Sequence, residues 1–102
     1  MNLNITPEQV RTHLLSMYAE QITLSGRSFD DVPDNFDLFL EGIVDSFGIL
    51  EMIGGLEEAY GVTLDMSGLD VEQVTVVGPL SRHVASQVTL HGAGGFAPMP
   101  QE

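Results

Sequence analysis

Residues 42–60, GIVDSFGILEMIGGLEEAY, constrain the fold more than any other stretch. Ile49, Met52, Ile53, Leu56 and Tyr60 recur at helical spacing and predict an amphipathic helix with a single apolar stripe. Glu51 and Glu58 fall on the opposite face, with Glu57 at its margin. Asp45 is a good N-cap, which places Ser46 in the first turn. One helix cannot bury such a stripe alone, so other helices must pack against it. Its N-terminus offers unpaired backbone N–H groups and a potential that favours an anion, so a phosphate ester on Ser46 would be well placed.

The flanking sequence supplies the packing partners. Thr6-Pro7-Glu8-Gln9 is a helix start, with Thr6 as cap, Pro7 in the first position and Gln9 completing a capping box. Val10, Leu14, Met17, Tyr18 and Ile22 then predict one continuous helix to about Leu24, ended by Ser25-Gly26. Arg11 and Glu20 are expected on its solvent side. Residues 27–44 form a long connection holding Asp30, Asp31, Asp34, Asp37 and Glu41, broken by Pro33. Phe29, Val32, Phe36, Leu38, Phe39, Leu40, Ile43 and Val44 are too many apolar residues for a free linker, and several are expected to plug the core.

After a turn at Gly61, residues 69–74 predict one short helix capped by Asp70 or Ser67. Gly78-Pro79 starts the last helix, whose inner edge is Leu80, His83, Val84, Gln87 and Val88. The ending HGAGGFAPMPQE is rich in Gly and Pro and is expected to be disordered. The fold expected is all-α: a small irregular four-helix bundle with a long first loop and a short third helix.

Charge and composition narrow the partners. The chain has 102 residues, room for one small domain, and a net charge of −12 carried by 15 acids against three arginines, Arg11, Arg27 and Arg82. Nucleic acid and anionic membrane are therefore repelled, and basic protein surfaces are the natural partners. With no cysteine there is no disulfide, thiolate ligand or thiol nucleophile, so any thiol chemistry needs a prosthetic group. No signal peptide and no membrane-spanning run is evident, which makes a cytoplasmic, monomeric protein the expectation.

GIVDSFGILEMIGGLEEAYGV resembles the second helix of the acyl carrier proteins, including the Asp-Ser-hydrophobic attachment motif. The resemblance covers residues 7–88, is most specific over 42–62 and is general elsewhere. It implies residues 1–6 as an N-terminal tail, 7–89 as a carrier domain and 90–102 as a tail. In that family the serine carries 4′-phosphopantetheine, moved from coenzyme A by a phosphopantetheinyl transferase, and the thiol of the arm holds acyl or aminoacyl groups as thioesters.

Ser46 is the residue the resemblance selects for that arm. No base stands near it in sequence, so it is an acceptor and not a catalytic nucleophile, and the chain is not an enzyme. Asp45 has two roles open, capping the helix and contacting the transferase or its metal. Phe47 is expected to be partly exposed for partner contact; Leu50 is grouped with the partner-recognition residues, though core burial is the role favoured for it. Glu51, Glu57 and Glu58 match family positions that recognise basic enzymes, namely the transferase, an acyl- or aminoacyl-loading ligase, and downstream synthases or transferases. Docking led by such charges should weaken in salt.

Two positions depart from the family. Gly48 stands where many members have an acid. Gly54-Gly55 lies inside the helix, where each glycine costs about 1 kcal/mol relative to alanine. Close approach by a partner would explain the pair, and Gly55→Ala is expected to stabilise the fold. Other sites fail on spacing. An EF-hand begun at Asp30 reaches Glu41 in the last ligand position, but Val32 and Asn35 break the pattern. His13, His83 and His91 lack zinc-ligand spacing. The expected function is that of a stand-alone acyl carrier. The alternatives are an aminoacyl or peptidyl carrier of specialised metabolism, or an unmodified acidic helical interaction module.

Overall fold

The computed structural model describes residues 5–94, excepting the side chains of Phe29 and of residues 89–94. It is an all-α fold with four helices: α1 Pro7–Met17, α2 Ala19–Leu24, α3 Ser46–Tyr60 and α4 Val77–Gly94. Short 3-10 turns at Phe29–Asp31, Met66–Gly68 and Val71–Gln73 join them. There is no strand among the described residues, only an isolated antiparallel bridge between Asp37 and Val76.

α1 begins as its sequence requires. The Thr6 hydroxyl accepts from the Gln9 N–H at 3.1 Å, and the Gln9 side chain accepts from the Thr6 N–H at 2.9 Å. Because Pro7 has no N–H, this satisfies two of the three orphan amides of the helix start, Thr6 and Gln9 but not Glu8. The expected single first helix is divided at Tyr18, however, whose φ of −124° leaves the helical region. The Tyr18 N–H bonds to Leu15 O and the helix restarts as α2. No Pro or Gly marks this break in the sequence. Arg11 is a second correction: it is half-buried, because its guanidinium donates to the Val32 carbonyl and ties the long loop to α1.

The core is contiguous. Val10, Leu14, Leu15 and Ile22 from the first two helices meet Met52 and Leu56 of α3 and Val77, Leu80, Val84, Ala85 and Val88 of α4. Val32, Phe36, Leu38 and Val44 from the long loop complete it, as their number in the sequence required. Each fully buried aliphatic side chain contributes roughly 1.5–3 kcal/mol of transfer free energy. The loop is held by directed bonds as well. Leu38 N–H donates to Thr75 O at 2.8 Å, and Val77 N–H donates to Phe36 O at 2.9 Å. The Asp37 carboxylate accepts from Phe39 N–H, Leu40 N–H and the Thr75 hydroxyl, the last at 2.7 Å. The Asp37 carboxylate thus serves the fold.

The third segment differs in detail from expectation. Its helical residues are two separate 3-10 turns, and the cap bond belongs to Asp65, whose carboxylate accepts from Ser67 N–H at 3.0 Å. A third turn this short has too few residues to bury an apolar face, so α-helical hydrogen bonding does not propagate. α3 ends where Gly61 adopts φ 67°, a left-handed conformation that a side chain resists. The last helix runs to Gly94, so residues 91–94, expected to be disordered, are helical. Residues 95–102 of that expectation, and residues 1–4, lie outside the described chain.

The glycine pair of α3 is not symmetric. A Cβ on Gly54 would meet nothing within 4 Å, whereas one on Gly55 would lie 2.9 Å from Met17 Cε. The close approach at Gly55 is therefore internal, between α3 and α1. Gly55→Ala, expected to stabilise, requires the flexible end of Met17 to move, whereas Gly54→Ala requires nothing to move.

Candidate functional site

The start of α3 is built by three neighbours. Asp45 has an extended backbone, and its Oδ1 accepts from Gly48 N–H at 2.7 Å, the geometry of an N-cap. A Cβ on Gly48 would lie 3.2 Å from Val44 Cβ and 3.3 Å from Asp45 Oδ1. Glycine at this position therefore gives the capping carboxylate room, a local reason for glycine there. Gly42, at φ 78°, turns the chain two residues before buried Val44.

Because Asp45 is the cap, Ser46 is not. It occupies the first position of α3, exposed, and its hydroxyl makes no hydrogen bond among the described residues. The usual structural use of a serine at a helix start is thus already filled by its neighbour. The N–H groups of Ser46 and Phe47 are likewise unpaired among the described residues. Neither His13 nor His83 serves Ser46. His13 packs edge-on against Tyr60 with ring centroids 5.7 Å apart, and His83 Nε2 lies 2.7 Å from Asp65 O. The His91 side chain lies outside the description.

Two exposed apolar side chains follow the serine on α3. Phe47 is 80% exposed and Leu50, one turn on, is 71% exposed. The exposure of Leu50 overturns its expected burial. It sits outside the stripe of Ile49, Met52, Ile53 and Leu56, so the helical angle was the available sign. Leu40 at 77% and Val71 at 86% are also exposed, and sequence alone gave no reason to group them with the site. They line one groove of about 570 Å³ with Phe39, Ile49 and Val74. A more polar cleft of about 480 Å³, which shares Phe39 with the groove, is lined by Tyr18, Gln21, Asp45, Gly48 and Glu51. Burial, and secondarily the Glu51 carboxylate, raise the Tyr18 pKa above its ordinary value.

The three expected recognition acids separate. Glu51 and Glu58 are exposed on α3. Glu57 is half-buried, and its carboxylate accepts from Leu64 N–H at 2.8 Å, holding the segment that follows the helix. Glu57 therefore has an internal task that the other two lack. All three arginines are engaged elsewhere: Arg11 at Val32, Arg27 over the Phe36 ring at 5.0 Å, and Arg82 with Asp34 at 3.2 Å. Among the described residues no arginine is paired with Glu51 or Glu58.

In comparisons with protein-family models, curated proteins and solved structures, the chain matches none. Among the described residues no helix is long and apolar enough to cross a membrane.

Proposed function

We propose that the protein is an acyl carrier, with Ser46 as the attachment point for 4′-phosphopantetheine. The observation that carries the reading is an exposed serine hydroxyl at the first position of α3, left unused because Asp45 caps the helix. The residues present fit such a group. A phosphodiester on Ser46 would stand beside the unpaired amides of Ser46 and Phe47, at the positive end of a 15-residue helix. When bound, the arm supplies a thiol, which a chain without cysteine lacks.

The chain's own residues do the rest. The Asp45 cap fixes the first turn and with it the direction of the Ser46 side chain. Phe47 and Leu50 offer apolar contact to an incoming enzyme, and Glu51 and Glu58 attract a basic one. The groove lined by Phe39, Leu40, Ile49, Val71 and Val74 favours an apolar group and so supports acyl over aminoacyl cargo. No histidine stands at Ser46 and the Asp45 carboxylate is committed to the Gly48 N–H, so in this reading Ser46 only accepts the arm.

Incubation with coenzyme A, magnesium and a broad-specificity phosphopantetheinyl transferase tests this by intact mass. One phosphopantetheine per chain is expected, and none on Ser46→Ala. An unchanged mass for the unsubstituted chain overturns the reading and leaves the unmodified interaction module.

A further inference from the structure

The starts of α1 and α4 share a cavity of about 160 Å³, which has no lining residue in common with the groove or the cleft beside α3. That volume suits a small ion and is below the roughly 300–1,000 Å³ of pockets for organic ligands. Arg11 of α1 and Arg82 of α4 line it, two of the chain's three arginines. Ser81 lines it as well. This serine is only 2% exposed, and its buried hydroxyl has no hydrogen-bond partner among the described residues. An unpaired buried hydroxyl costs about 1–3 kcal/mol, so an orphan of this kind beside a cavity points to a bound group. Both guanidiniums have donors to spare. Arg82 offers only Nη1 to Asp34, at 3.2 and 3.4 Å, and Arg11 only Nη2 to the Val32 carbonyl. Their remaining N–H groups are unpaired among the described residues. The same place holds acceptors. Glu8 lines the cavity, and the Asp34 carboxylate lies against Gly78, where a side chain would collide with it.

We infer that this cavity binds a phosphate group that keeps a proton, held by Arg11, Arg82 and the Ser81 hydroxyl and selected over sulfate by the Glu8 and Asp34 carboxylates. The mixed lining chooses the ligand. Two guanidiniums repel a metal cation, and two carboxylates repel an anion that can only accept hydrogen bonds. Phosphate near neutral pH does both jobs: its bare oxygens accept from the arginines, and its P–OH donates to a carboxylate. Sulfate has no proton to give. The Ser81 hydroxyl can donate to such a group or accept from it. A phosphate seated here bridges α1 to α4 and adds to the tie that Arg11 makes with the long loop. Because it needs both helices in place, it binds the folded chain and raises its stability. The inference is independent of Ser46 and of any carrier role.

The test titrates the full, ¹⁵N-labelled chain with inorganic phosphate at neutral pH, with sodium chloride holding the ionic strength constant. Saturable shifts are expected at the Arg11, Ser81 and Arg82 amides, with half-saturation in the millimolar range or below. Sulfate is expected to bind about tenfold more weakly or worse, since it leaves the carboxylates facing an acceptor. Glycerol phosphate in a parallel titration separates two sources of the group: tighter binding than phosphate assigns a phosphomonoester, weaker binding the free ion. Arg82→Gln removes an exposed ion pair of little worth to the fold and should weaken phosphate binding about tenfold or more. Ser81→Ala should weaken it a few-fold, while in the absence of phosphate the variant melts no lower than its parent, because the hydroxyl it loses has no partner in the fold. No saturable shift, sulfate binding as well as phosphate, or binding unchanged in both variants would each overturn the inference.

Discussion

Replacing Gly54 and Gly55 by alanine, one at a time, separates helix propensity from packing in α3. Both glycines lie in the interior of Ser46–Tyr60, so each substitution gains about 0.8–1 kcal/mol of propensity, chiefly from reduced backbone freedom in the unfolded chain. At Gly54 nothing else changes, because the new methyl meets no atom within 4 Å. Gly54→Ala should therefore realise the full gain, raising the melting temperature by about 4–8 °C per kcal/mol for a domain of this size. At Gly55 the methyl would lie 2.9 Å from Met17 Cε, the flexible end of a half-buried side chain. Moving Met17 off its preferred rotamer costs about 0.5–1.5 kcal/mol. The two terms nearly cancel, and Gly55→Ala is expected to lie within about 0.5 kcal/mol of the unsubstituted protein. Urea unfolding followed by far-ultraviolet circular dichroism measures both, provided the slope is unchanged. Equal stabilisation by the two substitutions would refute the Met17 contact. A Gly54→Ala protein no more stable than its parent would refute the propensity argument itself.

Other substitutions probe the site and its supports. Asp45→Ala removes the bond to Gly48 N–H and is expected to cost about 1 kcal/mol, seen as a lower urea midpoint. Glu57→Ala strands the Leu64 N–H and should cost about 1–3 kcal/mol, whereas Glu58→Ala, on an exposed side chain, should stay within about 0.5 kcal/mol. Burial raises the pKa of Tyr18, with a smaller contribution from Glu51, and burial raises that of Tyr60. The folded state therefore holds these protons more tightly than the unfolded state. Their stabilising contribution is fully present below the ordinary tyrosine pKa of about 10 and is lost as pH rises through the folded values. Stability should fall across that alkaline range, and less steeply in Tyr18→Phe.

Much of this molecule is written locally. The Thr6 capping box, the Asp45 cap, the Gly61 stop and the stripe of Met52 and Leu56 are set by residues within a few positions of one another, and the structure repeats them. The apolar content of the long loop likewise implied its burial, because Val32, Phe36 and Leu38 could not be left in water cheaply. The exposed place of Ser46 followed from Asp45 alone.

What tertiary structure decided is what distant residues do to one another. The break at Tyr18 has no local marker, and the burial of Arg11 depends on a carbonyl at Val32, 21 residues away. The third segment reads as a short helix by pattern, yet it forms two 3-10 turns while its carboxylate at Asp65 and the glutamate at Glu57 hold the backbone. Gly54 and Gly55 look alike in sequence and differ only because Met17 lies against one of them. Leu40, Leu50 and Val71 are apolar by type, and no rule of composition states that they stay in solvent. Propensity and capping act over one turn of chain, and the sequence determines them directly. Which apolar residues find partners depends on how helices pack, and the surplus left exposed is known only once the core has been filled.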